Sequence, residues 1–186
     1  MNVVLPNLVW LPTEACGSRN GATIDIIAVH RWGEPLSKIP VEAQIYGGVI
    51  NFFKSPSNNA SAHVVFPGSA VPASATQMVR WSDMAWAEAA YNAHAQDVES
   101  ADDIWIGSDT EGMAVLARIV AGLCFFNKLP PVWSIRKGFC RHADLGQEGG
   151  GHLECPTTDM NQWYQFVTMV QNEYKRGGWL KSWGEQ

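Results

Sequence analysis

The sequence predicts an α/β fold, with a single mixed central sheet flanked by helices. Three observations predict it. Ile24-Asp-Ile-Ile-Ala-Val-His30 is β-rich and nearly continuously apolar, as a strand covered on both faces must be. Two later stretches, 113–124 and 163–174, carry apolar residues at helical spacing. Shorter β-rich runs alternate with such helical patterns along the chain.

Residues 1–22 read as loop, punctuated by Pro6, Pro12, Gly17 and Gly21. The strand that follows ends on His30, and Arg31-Trp-Gly-Glu-Pro35 breaks it. A side chain at the end of a central strand is held rigidly, which suits a ligand. Val41 to Phe53 has helical spacing, and Lys54-Ser-Pro-Ser-Asn-Asn59 stops it. Ser61 to Phe66 is a second strand, and Ser74 to Trp81 a third that pairs with it as a hairpin. Ser82 to Asn92 is a short helix or loop, and Gln96 to Ser100 a weak fourth strand.

Asp109 has the position of a helix N-cap, and Pro130-Pro131 stops that helix after Asn127. Trp133 to Arg136 is expected as a last short strand. Thr157, Thr158 or Asp159 caps a final helix whose stripe is Trp163, Phe166, Val167, Val170 and Tyr174, ended by Gly177-Gly178. Residues 1–178 make one domain on this reading, with 179–186 as a tail or the start of a linker.

With 46% apolar and 17% charged residues the chain can bury a core, which excludes disorder. A formal charge of −5 and the lack of any basic run give no footprint for nucleic acid. No apolar run is long enough to span a membrane. The first residues lack a charged region and are broken by Pro6, so no signal peptide is expected and synthesis is cytoplasmic. Cys16, Cys124, Cys140 and Cys155 show no CxxC spacing, and Cys124 reads as core. The nine tryptophans exceed what a core needs, so several are expected to line a groove.

The densest chemistry lies between Gly138 and Pro156, which holds Cys140, His142, Asp144, Glu148, His152, Glu154, Cys155 and the run Gly149-Gly-Gly151. Two imidazoles and a thiolate suit zinc and leave a fourth position for water. His142 and Cys155 can turn to one metal across the glycine-rich loop. Cys155 stands just before Pro156 and a helix N-terminus, where negative charge is favoured.

Ala28-Val-His30 at a strand end, Ala60-Ser-Ala-His-Val-Val-Phe66, Met84-Ala-Trp86, and Arg141-His-Ala-Asp-Leu145 followed by Cys155-Pro156 resemble the type 2 N-acetylmuramoyl-L-alanine amidases. Those enzymes share a fold with the peptidoglycan recognition proteins and the amidase-type phage endolysins. Gly17-Ser-Arg-Asn-Gly21 is similar to the opening of endolysin catalytic domains. The motifs run in order over residues 24 to 175.

The resemblance implies one Zn2+ held by His30, His142 and Cys155. It implies Glu99 as the base, with Asp97 and Asp102 as alternatives. Where many members carry a lysine two residues before the third ligand, this chain has Leu153, and His152 is the candidate to stabilise the oxyanion. The His-Ala-Gly loop common after the tryptophan is replaced by Trp86-Ala-Glu-Ala. Trp32, His63, Trp86 and Tyr91 are the candidate substrate-binding groups, although a structural role for His63 is the simpler reading of a strand histidine.

The implied activity is hydrolysis of the amide between N-acetylmuramic acid and L-alanine in peptidoglycan, for phage-type lysis of the cell wall. A monomer acting on the wall after release is expected. Two alternatives remain at this point: a non-catalytic peptidoglycan-binding module of the same fold, and a cysteine peptidase using Cys140 or Cys155.

Overall fold

The computed structural model describes residues 7–32, 42–69 and 74–177. Six strands form the central sheet in the order β1-β5-β4-β7-β3-β8. They are β1 (Asn7–Trp10), β3 (Ile26–Arg31), β4 (Val64–Phe66), β5 (Ser74–Gln77), β7 (Ala95–Ser100) and β8 (Gly138–Arg141). β4, β7, β3 and β8 run parallel, β5 is antiparallel to β4, and β1 is parallel to β5. Two more strands, β2 (Cys16–Ser18) and β6 (Asp83–Ala85), pair antiparallel beside the sheet. The helices are α1 (Glu42–Lys54), α2 (Asp102–Trp105), α3 (Thr110–Phe126) and α4 (Met160–Arg176). This is the expected mixed sheet with helices on its faces.

Alternation along the strands gives the sheet two different faces. Ile27, Val29, Val64, Phe66, Val98 and Phe139 share one core with Leu116 and Val120 of α3 and Trp163, Phe166 and Val170 of α4. The opposite face carries Ile26, Ala28 and Cys140 in one cluster, and Val65 with Ile50 and Phe53 of α1 in another. His30, Asp97 and Glu99 therefore point to the α1 side.

The long helices are capped as their sequences require. Asp109 accepts from the Gly112 N–H at 2.7 Å. A Cβ at Gly112 would lie 2.0 Å from the Asp109 carboxylate, so the cap needs glycine there. Asp159 accepts from Asn161 and Gln162 N–H groups, and Gly177 closes α4 in the left-handed region at φ 59°.

Three expectations need correction. Residues 7–10 and 16–18 are strands, not loop. They are only four and three residues long and lie close to prolines and glycines, which hides their alternation. Trp133 makes a single bridge to Phe139, and the strand expected at 133–136 is Gly138–Arg141 instead. It can start only at glycine, because a Cβ at Gly138 would lie 2.2 Å from the Val132 carbonyl oxygen. Residues 83–85 form β6, leaving only a 3-10 turn at Ala89–Tyr91 of the expected short helix. The tail at 179–186 lies outside the described residues.

Candidate metal centre and groove

His30 stands one residue before the end of β3 and is 3% exposed. Parallel pairing sets it opposite Glu99 of β7. β8 lies on the other side of β3 and delivers His142 from a 3-10 turn that begins directly after Arg141. The rings of His30 and His142 are 4.4 Å apart. Cys155 closes the group: its Sγ accepts from the Arg31 N–H at 3.3 Å, and its carbonyl accepts from the Ala143 N–H at 2.8 Å. The ligand atoms of His30, His142 and Cys155 all lie within 4.8 Å of one another.

Arg141 staples this arrangement. Its Nη2 donates to Asp144 at 2.6 Å and its Nη1 to the Thr157 carbonyl at 3.2 Å, while Trp133 Nε1 donates to Asp144 at 2.7 Å. The turn carrying His142 is thereby tied to the segment carrying Cys155. Arg31 pairs with Asp102 at 3.1 Å, which takes Asp102 away from the centre.

A groove of about 620 Å³ opens over the three groups. Trp32, Trp86, Glu99 and His152 line it, together with Gly48, Val49 and Phe52 of α1. Phe52 is half exposed, a doublet partner to the buried Phe53, and makes an apolar wall that the helical stripe alone did not single out. His152 is exposed, with its ring 4.6 Å from that of His142. Of the three candidate bases only Glu99 faces this groove, its Oε1 3.8 Å from His30 Nδ1.

Two expected substrate groups stand apart from it. His63 is fully buried, with Nε2 2.9 Å from Arg19 Nη2 and Nδ1 3.1 Å from Asp97. Arg19 also donates to the carbonyls of Ala93 and Ala95, so the arginine of the 17–21 motif pins the start of β7. Tyr91 packs against the cluster containing Cys140, and its hydroxyl donates to Glu148 at 3.3 Å. Neither lines the groove.

One buried group at the centre escapes the sequence reading. Glu88 is wholly enclosed, with Oε1 in ion-pair contact with His30 Nε2 and Oε2 3.3 Å from His142 Nε2. The available signal is Trp86-Ala-Glu-Ala, a carboxylate set among small residues.

Charge is therefore concentrated below the groove, and it shifts each group. Burial pushes His30 down, but the Glu88 and Glu99 carboxylates outweigh it and hold the imidazole well above its usual value. Burial and the neighbouring His30 charge press His142 down to about 4. Burial lifts Glu88 to about 7 against the pull of His30, and lifts Glu99 as well. Burial also opposes ionisation of Asp97, yet His63, His30 and Arg19 together hold its carboxyl below the ordinary range.

The donor set fits zinc. Two imidazoles and a thiol sit within reach of one ion, and the groove leaves a fourth position open. Buried oxygens of Glu88, Asp97 and Glu99 without hydrogen-bond partners add negative charge that a divalent cation would offset. His30, Glu88 and Asp97 form a second possible set. That set is fully enclosed and offers a single nitrogen, so it has no open side for a substrate.

The fold is the one shared by N-acetylmuramoyl-L-alanine amidases and amidase-type endolysins, as the sequence resemblance implies. The chain is similar to the Staphylococcus aureus hydrolase AmiA, with a TM-score of 0.72 and 16% identity over 98% of this chain and 90% of that one. It is similar to the N-acetylmuramoyl-L-alanine amidase LysC from Clostridium intestinale, with a TM-score of 0.54 and 13% identity over 90% and 98% of the two chains. For the endolysin of the Thermus scotoductus bacteriophage Ph2119 the TM-score is 0.57, at 11% identity over 88% and 99%. No family model matches the chain, and no curated protein matches it in sequence.

Proposed function

We propose that this chain is a zinc-dependent N-acetylmuramoyl-L-alanine amidase that cleaves peptidoglycan, acting as a monomer in phage-type lysis. The observation that carries the reading is the convergence of His30, His142 and Cys155 at the floor of an aromatic-walled groove. The fold shared with amidases and endolysins supports it.

When bound to these three residues, zinc supplies Lewis-acid polarisation of the scissile carbonyl and lowers the pKa of a water. The chain does the rest. Glu99 takes the proton of the attacking water and returns it to the leaving amine of L-alanine. Its burial-raised pKa suits both halves of that transfer. His152, at the open side, donates to the oxygen that gains negative charge. Trp32, Trp86 and Phe52 hold the sugar and the stem peptide against the site.

A cysteine peptidase is disfavoured at Cys140, because that thiol is sealed in the core and burial holds it far from ionisation. The test is zinc content and release of new L-alanine amino termini from cell walls. The expected result is one zinc per chain, with Cys155→Ala losing both metal and activity. A folded, active C155A variant would show the ligand assignment wrong.

A further inference from the structure

We propose that Glu88 is a positioning residue that sets the tautomer of both metal-facing histidines. One carboxylate oxygen meets each ring, Oε1 at His30 Nε2 and Oε2 at His142 Nε2, 3.3 Å away. The inference rests on the zinc reading above and assigns a role to a residue which that reading does not use.

The tautomers follow from what surrounds each nitrogen. His142 Nε2 lies 2.7 Å from the Gly149 carbonyl oxygen. A backbone carbonyl only accepts, so this nitrogen carries the hydrogen and Nδ1 keeps the lone pair. Glu88 Oε2 reinforces the same assignment from the other side. His30 Nε2 faces Glu88 and, at 3.9 Å, Asp97 Oδ1. The Glu88 acceptor makes it a donor as well, with the Asp97 charge on the same side, and its Nδ1 is left on the side of Glu99 and the groove. Both rings then offer Nδ1 to one ion, and a single carboxylate coordinates their orientation.

The carboxylate is itself held from behind. Asn92 Oδ1 accepts from the Ala87 N–H at 3.0 Å and also from the Glu88 N–H. The Trp86 N–H donates to Ser61 at 3.0 Å. Ala89 follows at φ 45°, an unfavourable conformation for a residue with a Cβ. Both carboxylate oxygens are buried without any other hydrogen-bond partner. Asp97 is the other carboxyl group beside them and adds repulsion, so the two histidines are the groups that offset the cost of burying a carboxylate there. Carboxylate partners of metal-ligating histidines fix ring orientation, and their loss typically weakens metal binding by about 10–100-fold.

The test compares wild type with Glu88→Gln and Glu88→Ala. Zinc affinity is measured by competition with a chromophoric chelator, and the cobalt-substituted forms are followed by visible absorption. Glutamine keeps the volume but can accept from one ring only, so E88Q is expected to bind zinc about tenfold more weakly and E88A about 100-fold. The cobalt spectra should keep their thiolate charge-transfer band and coordination number. Equal zinc affinity in all three proteins overturns the proposal, as does a change in cobalt coordination number, which would make Glu88 a ligand. Histidine nitrogen NMR of the zinc-loaded wild type needs no variant to fold: hydrogen on Nε2 of both rings is expected, and hydrogen on Nδ1 of either overturns it. Wild type that takes up no zinc at all fails the amidase reading, whereas wild type that binds zinc no better than the variants fails this inference alone.

Discussion

On one face of the central sheet Val29, Val98 and Phe139 meet the apolar sides of α3 and α4. On the other, the same three strands turn His30, Asp97, Glu99 and Cys140 toward α1 and the loops. A residue and its neighbour in one strand thus serve opposite ends. The first face is stabilised by apolar packing. The second buries carboxylates and imidazoles whose pKa values are pushed apart, which is costly for folding and useful for holding a cation and moving a proton. Fold and function are separated by a single alternation of the backbone.

The separation makes predictions that differ by face. The largest effect is expected from Glu99→Gln, which should lower kcat by about 10²–10⁴-fold while leaving zinc content intact. The same substitution should raise the stability of the metal-free protein. The carboxyl's folded pKa lies above its usual 4.5, so its ionisation costs nothing below that pH and penalises the folded state progressively above it. A less stable E99Q protein would contradict this account of the buried charge.

Trp163→Ala, on the helix face, should cost about 3–5 kcal/mol of stability by denaturant titration. Trp163 is fully buried among Trp105, Phe139 and Phe166. Zinc affinity of the folded fraction should not change; a parallel loss would mean the two faces are coupled.

Zinc affinity should also fall with pH, through one imidazole and not the other. His30 is held well above 6.5 in the metal-free protein, so at lower pH the metal must displace its proton, which contributes about tenfold in affinity per pH unit beyond the proton that any thiol ligand releases. His142, pressed to about 4, is already neutral there and adds nothing. Proton NMR of the metal-free protein at pH 6 should find His30 charged and His142 neutral. A His142 that titrates near 6.5 would refute the electrostatic picture.

The smallest effect belongs to Asp109→Ala, about 1–2 kcal/mol, since it removes a helix cap and, with it, the carboxylate that accepts from the Ser69 N–H at 2.7 Å and from the Ser69 hydroxyl, all far from the groove. Thermal unfolding should register it, with activity unchanged.

The helix face was the more legible one in the sequence. β3 and the stripes of α3 and α4 follow from hydrophobic patterning alone, and the cap at Asp109 from its residue type at the helix start, while the α4 cap is Asp159 of the three residues the sequence offers. β1 and β2 were not legible, because strands of three or four residues give too few alternations to register. On the site face, periodicity says nothing about which polar groups meet. His30, His142 and Cys155 were picked out by residue type and by resemblance, and they converge in space. Glu88 carries no spacing signal: it meets the two histidines only because β3, β8 and the turn after β6 fold together. His63 illustrates the same gap, since its partners Arg19 and Asp97 come from distant segments.

The central claim is that the ion is held by His30, His142 and Cys155 rather than by the enclosed set of His30, Glu88 and Asp97. X-ray absorption at the zinc edge of the loaded protein tests it most directly. The account predicts one sulfur near ~2.3 Å and two imidazole nitrogens near ~2.0–2.1 Å, with one further light atom. A shell without sulfur, built from a single imidazole and carboxylate oxygens, would contradict it.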